Sequence, residues 1–151
     1  MTETLTETEI IERNRAVAER FLNGTHSKDI ADVAVIDDTV GPKVTCHGFP
    51  GGDPVDHESY KSFFRTFRQS FTDMDWKVHA LVADETYVSA RWQIWATHSG
   101  DFAGVKADGR RITFEGMVLY RLEDGLIVET WLQIDQLGLL GAIGALPAMA
   151  A

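Results

Sequence analysis

The chain has 151 residues and a mass of 16.8 kDa, enough for a single domain over residues 1–151, and its 44% hydrophobic and 10% aromatic content excludes a disordered protein. Its formal net charge of −9 (14 basic against 23 acidic residues, the basic ones scattered) repels phosphate backbones and anionic lipids, so neither a nucleic-acid nor a membrane partner is expected. The single cysteine, Cys46, excludes an internal disulfide, and the acidic start of the chain lacks the basic and apolar runs of a signal peptide, which makes a cytoplasmic location the expectation.

Thr6 and Glu9 stand in capping-box register before an apolar stripe of Ile10, Val17 and Phe21, flanked by Ile11, Ala18 and Leu22. This predicts a first helix that stops at Asn23-Gly24. Ser27 offers an N-cap to a short second helix through about Ile36, with Asp37-Asp38 at its exit, and residues 40–47 read as a strand. The loop Gly48-Phe49-Pro50-Gly51-Gly52 breaks regular structure, and Asp53-Pro54 predicts the start of a third helix. Tyr60, Phe63, Phe64, Phe67 and Phe71 then recur at i, i+3, i+4, i+7 and i+11, which gives that helix an aromatic wall.

From Trp76 the period changes to two, predicting strands over 76–83, 87–98, 111–122 and 126–135. Tight connections are expected at 84–86 and 123–125, and a longer glycine-containing loop at 99–110. Helices first and a meander second define an α+β fold. If Leu122 faces Leu126, then Tyr120 pairs with Val128, Val118 with Thr130, Gly116 with Leu132 and Phe114 with Ile134 on an almost wholly apolar face. The other face carries Leu119 with Glu129, Met117 with Trp131, Glu115 with Gln133 and Thr113 with Asp135. Large apolar residues on both faces predict that helices cover one and a second copy of the chain covers the other, a homodimer. Parity does not decide which face lines a pocket. The tail from Leu137 to Ala151 is fifteen residues long, short of the ~20 that span a bilayer, and reads as a terminal helix and cap.

Asp135 follows an alternating strand and shares a face with Gln133 and Trp131. Apolar rings beside a carboxylate raise its pKa toward the range useful for proton transfer; the equal alternative is an N-cap for the helix that starts near Leu137. His47, at a strand end beside the glycine-rich loop, is a candidate base or hydrogen-bond donor, against a histidine held by backbone. Cys46 and His47 are adjacent and point to opposite faces of a strand, so they form no nucleophile pair. Arg91, among Trp92, Ile94 and Trp95, needs a partner that Glu115 or Glu129 would supply in a structural ion pair; Glu115 is alternatively the pocket carboxylate. The five histidines show no HxH or HExxH spacing, and GxGxxG, Walker A and GxSxG patterns are missing, so neither a metal nor a nucleotide cofactor is expected.

Four stretches resemble the SnoaL-like polyketide cyclase family of the nuclear transport factor 2-like cone fold. They are Phe21-Leu22-Asn23-Gly24, the run from Thr97 to Gly104 with Gly109-Arg110-Arg111, the hairpin from Tyr120 to Glu129, and Trp131 to Asp135 leading into Leu137-Gly138-Leu139-Leu140. The resemblance implies three N-terminal helices packed on a curved antiparallel sheet with a short C-terminal helix. It also implies a cofactor-free pocket for a small oxygenated molecule; for such a pocket the residue pattern offers Trp131, Gln133, Met117, Glu115, Phe64, Tyr60 and Arg91 as candidate substrate contacts and Asp135 and His47 as candidate catalytic groups. The positions that match the cyclases' Asp, supporting His and helix-one Tyr hold Leu132, Val118 and Phe21, and His47 stands where they carry an Asn. The functions implied are a cofactor-independent cyclase or isomerase using a carboxylate as acid and base, an epoxide-opening hydrolase, or a non-catalytic binder of the same fold.

Overall fold

A computed structural model describes residues 4–28 and 31–146. In chain order it contains α1 (Glu7–Thr25), α2 (Val35–Thr39), β1 (Val40–His47), α3 (His57–Ser70), β2 (Phe71–Ala83), β3 (Tyr87–His98), β4 (Arg111–Glu123), β5 (Leu126–Ile134) and α4 (Gln136–Ala142). The five strands form one curved sheet in the order β1-β5-β4-β3-β2. β1 lies parallel to β5, and the other three pairings are antiparallel.

The capping box at Thr6 forms as predicted, the Thr6 hydroxyl accepting from the Glu9 amide and the Glu9 carboxylate from the Thr6 amide. Four local expectations are corrected. α1 runs through Asn23-Gly24 to Thr25, because Gly24 serves close packing: a Cβ there would meet Val35 Cγ1 at 2.8 Å. The Ser27 hydroxyl donates to the Asn23 and Gly24 carbonyls, which finishes α1; α2 starts only at Val35 and contains Asp37 and Asp38. Asp53 accepts from the Phe49 amide and closes the glycine-rich loop, leaving Asp56 to cap α3 in a box with Ser59. Phe71, expected at the end of the aromatic stripe, closes α3 and begins β2, five residues earlier than Trp76.

The β4–β5 hairpin closes through Asp124 and Gly125, both with positive φ (49° and 77°), a two-residue turn whose twist suits paired strands. Glu123 therefore pairs with Leu126 and Leu122 with Ile127, after which Val128 is skipped and Arg121 pairs with Glu129. This bulge corrects the expected register by two residues: Tyr120 faces Thr130, Val118 faces Leu132 and Gly116 faces Ile134. The division between the two faces is the one read from the sequence on β4 and on β5 from Glu129 onward; before the bulge Ile127, and not Leu126 or Val128, turns inward.

Helices and sheet enclose one core, in which Phe21, Tyr60, Phe64, Trp92, Phe114 and Tyr120 are buried. α3 is tied to the end of α1 by Arg68, whose guanidinium donates to the Thr25, Ser27 and Lys28 carbonyls. Asn14 of α1 donates to the Asp84 and Glu85 carbonyls and so fixes the β2–β3 turn. Among the described residues no helix is long and apolar enough to cross a membrane.

Candidate functional site

The inner, even-numbered face of β4 and β5 meets the aromatic wall of α3 around an interior cavity of about 40 Å³. Rings dominate its walls: Phe21, Tyr60, Phe63, Phe64, Phe67, Trp92, Phe114 and Tyr120, with Val118, Leu132 and Ile134. Phe21 stands edge-on to Tyr60, Phe64 and Tyr120 at 5.3–5.9 Å, which locks the inner end of the cavity.

The polar groups in these walls are neutral. Burial pushes the Tyr60 and Tyr120 phenols well above their ordinary pKa, so both remain hydrogen-bond donors. Thr130 Oγ1 is buried without a partner at hydrogen-bonding geometry, although it sits beside the Tyr60 hydroxyl and the Cys46 thiol. Burial, and then the nearby Asp53 carboxylate, push Cys46 up to about 12, which keeps it an unreactive thiol.

At the rim, burial lowers the His26 pKa to about 4, the Leu22 carbonyl opposing and the Arg68 charge adding to the shift. Its ring stacks on Trp76 at 4.2 Å, and Nδ1 lies 2.9 Å from the Leu22 carbonyl. A protonated Nδ1 donating to that carbonyl leaves Nε2 as the acceptor of a neutral imidazole. Among the described residues no carboxylate lines the cavity.

Of the predicted site residues, Tyr60 and Phe64 reach the cavity. Trp131 and Gln133 lie on the outer face, because the bulge at Val128 restores even-numbered residues of β5 to the interior, and Met117, Glu115 and Arg91 share that face on β4 and β3. Arg91 is exposed opposite Met117 and makes no ion pair among the described residues, since Glu129 is engaged elsewhere. His47 also faces outward: its Nε2 is 2.8 Å from Glu129 Oε2 and its ring stacks on Trp131 at 5.4 Å. The hydrogen bond to His47, then that from Arg121, holds the Glu129 carboxyl below its usual range. Asp135 is exposed and takes the capping alternative, accepting from the Gly138 amide at 2.9 Å. The structure thus gives Asp135 and His47 separate local partners outside the cavity. Sequence reading left Tyr120 and Thr130 unassigned as polar cavity groups; the apolar-face alternation contained both, and the hydroxyls were the available signal. His26 had no such signal, since its place depends on how α1 meets β2.

A helix-covered, curved sheet around an apolar cavity defines a cone-shaped α+β fold. The chain matches the SnoaL-like polyketide cyclase family over residues 28–143 and belongs to it. A SnoaL-like protein from Jannaschia sp. CCS1 superposes with a TM-score of 0.82 at 18% identity, covering 97% of this chain and 100% of its own. TsrD from Streptomyces laurentii gives 0.78 at 24% identity, with 89% and 97% covered, and AclR from Streptomyces galilaeus 0.77 at 24%, with 91% and 99% covered. At these identities the likeness is one of fold. No curated protein sequence matches the chain.

Proposed function

We propose that this chain is a small-molecule-binding member of the SnoaL-like family. It takes an apolar, oxygen-bearing molecule into the cone, and the Tyr60 and Tyr120 hydroxyls donate to its oxygen. One observation carries this reading: the cavity is lined by rings and protonated phenols, with no carboxylate among the described residues that line it. Acid/base cyclisation or isomerisation needs a base beside the substrate carbon, and a histidine held near pKa 4 is a weak one. The positions where the resemblance sets the cyclases' Asp, His and Tyr are Leu132, Val118 and Phe21, all three in the cavity wall. The binding alternative is therefore favoured over carboxylate catalysis by Asp135 with His47.

Two naphthalenes of similar size test this. Wild-type protein is expected to bind 2-acetylnaphthalene more tightly than 2-ethylnaphthalene, and Tyr60→Phe with Tyr120→Phe should cost the ketone about tenfold while leaving the hydrocarbon unchanged, as loss of one or two neutral hydrogen bonds implies. Equal losses for both ligands would remove the phenols from recognition.

The outer sheet face calls for a second copy of the chain: Met117 is 51% exposed, with Leu119 and Trp131 half-buried beside it. Light scattering at micromolar concentration should give a dimer mass, and Met117→Lys should shift it to a monomer; a monomeric wild type would overturn this assignment.

A further inference from the structure

His26 stands at the rim of the interior cavity, and its two ring nitrogens differ in what they meet. Nδ1 lies 2.9 Å from the Leu22 carbonyl and 2.9 Å from Thr25 Oγ1. The Thr25 hydroxyl gives its own proton to the Phe21 carbonyl at 2.8 Å, so both neighbours of Nδ1 are acceptors and the ring proton sits on Nδ1. Nε2 keeps its lone pair and bonds to none of the described residues. Packing fixes the ring: it stacks on Trp76 with 13° between the planes, and Phe64 meets it edge-on at 5.6 Å. Burial holds the imidazole unprotonated at neutral pH, so the rim offers an acceptor.

The inner end has the opposite chemistry. Tyr60 and Tyr120 bring hydroxyl donors to it. Beside Tyr60 the Thr130 hydroxyl is fully buried with no partner at hydrogen-bonding geometry, a group that a ligand oxygen would satisfy. Phe64 touches both ends, edge-on to His26 at 5.6 Å and stacked on Tyr60 at 5.6 Å, so a single ring of the wall links them. The remaining lining side chains are aliphatic or aromatic. A ligand lying along this wall meets both ends only with a donor at one of its own ends and an acceptor at the other.

We infer that His26 is a second recognition residue, its Nε2 accepting a hydrogen bond from a ligand hydroxyl, and that the ligand is a ring compound with a hydroxyl at one end and a carbonyl at the other. This rests on the small-molecule reading above and names the ligand class. The carbonyl takes the phenol end, the hydroxyl takes the imidazole end, and the pair of contacts sets which way round the molecule lies.

Three ketones separate the two ends: 6-acetyl-2-naphthol, its methyl ether 2-acetyl-6-methoxynaphthalene, and 2-acetylnaphthalene, each titrated calorimetrically at pH 6.5, where the naphthol is un-ionised. Wild-type protein is expected to bind the naphthol about fivefold tighter than 2-acetylnaphthalene, as one added neutral hydrogen bond implies, and the methyl ether no tighter than 2-acetylnaphthalene. His26→Phe, with its folding checked by its urea transition, should bind the naphthol no tighter than 2-acetylnaphthalene. Should that variant fail to fold, the wild-type comparison decides alone: a methyl ether that binds as tightly as the naphthol leaves the ligand no donor role. That result, or an advantage of the naphthol that survives in folded His26→Phe, would overturn the role of His26 and leave the phenol reading standing. No binding of any of the three would overturn both.

Discussion

Stability should fall by about 2 kcal/mol between pH 7.5 and pH 4.5, and His26 should supply most of that fall. Its folded pKa is about 4, against 6.5 in the unfolded chain, chiefly because burial disfavours the imidazolium. Below pH 6.5 the unfolded chain takes up a proton that the folded one refuses, so stability is full above that value, declines as pH drops, and stops declining below about 4. The whole interval corresponds to ~3 kcal/mol, reduced because part of the ring is accessible. Asp37, Asp56, Asp108 and Glu129, all with lowered pKa, begin to add their losses near pH 4.5 and add most of them below it. His26→Phe keeps a ring against Trp76 and removes the titration. Urea denaturation at both pH values should show the wild-type difference flattened in the variant; an unchanged slope would assign the acid sensitivity elsewhere.

Gly48→Ala should cost more than 3 kcal/mol, whereas Gly51→Ala in the same loop should cost about 1. Both glycines have φ near +85°, a conformation that an L side chain adopts only at a cost of ~1–2 kcal/mol. They differ in surroundings: a Cβ at Gly51 meets nothing within 4 Å, while one at Gly48 would lie 2.2 Å from the Leu132 carbonyl oxygen. That oxygen belongs to β5 backbone and cannot rotate away, so the alanine must separate β1 from β5 where both approach the cavity. The pair of variants distinguishes strain from collision by chemical denaturation. Equal losses would show that the strands yield at Gly48 and that φ alone sets the cost.

How much of this was legible in the sequence depended on the range of the interactions involved. The Thr6 capping box, the aromatic stripe of α3 and the strand positions were legible because each rests on neighbours within a few residues. The division of β4, and of β5 beyond Val128, into two faces was legible for the same reason, and so was the cap at Asp135, as one of two alternatives. The cavity face was not, since Trp131, Met117 and Leu119 made the outer side as apolar in pattern as the inner. Ser27 and Asp53 were read as caps on their residue type, yet tertiary packing used Ser27 to finish α1 and Asp53 to close a loop. The place of His26 at the cavity rim arises only when distant elements meet.

The skipped residue Val128 has a consequence for how this protein could diversify. A hairpin zipped straight from its turn would set Ile127, Glu129, Trp131 and Gln133 inward, and the interior would acquire a carboxylate and an amide in place of Thr130 and Ile134. The same nine residues of β5 thus encode two walls, one neutral and one acidic, chosen by where the strand breaks step. Ancestry could exchange one wall for the other by sliding that break along the strand, with no replacement at any lining position.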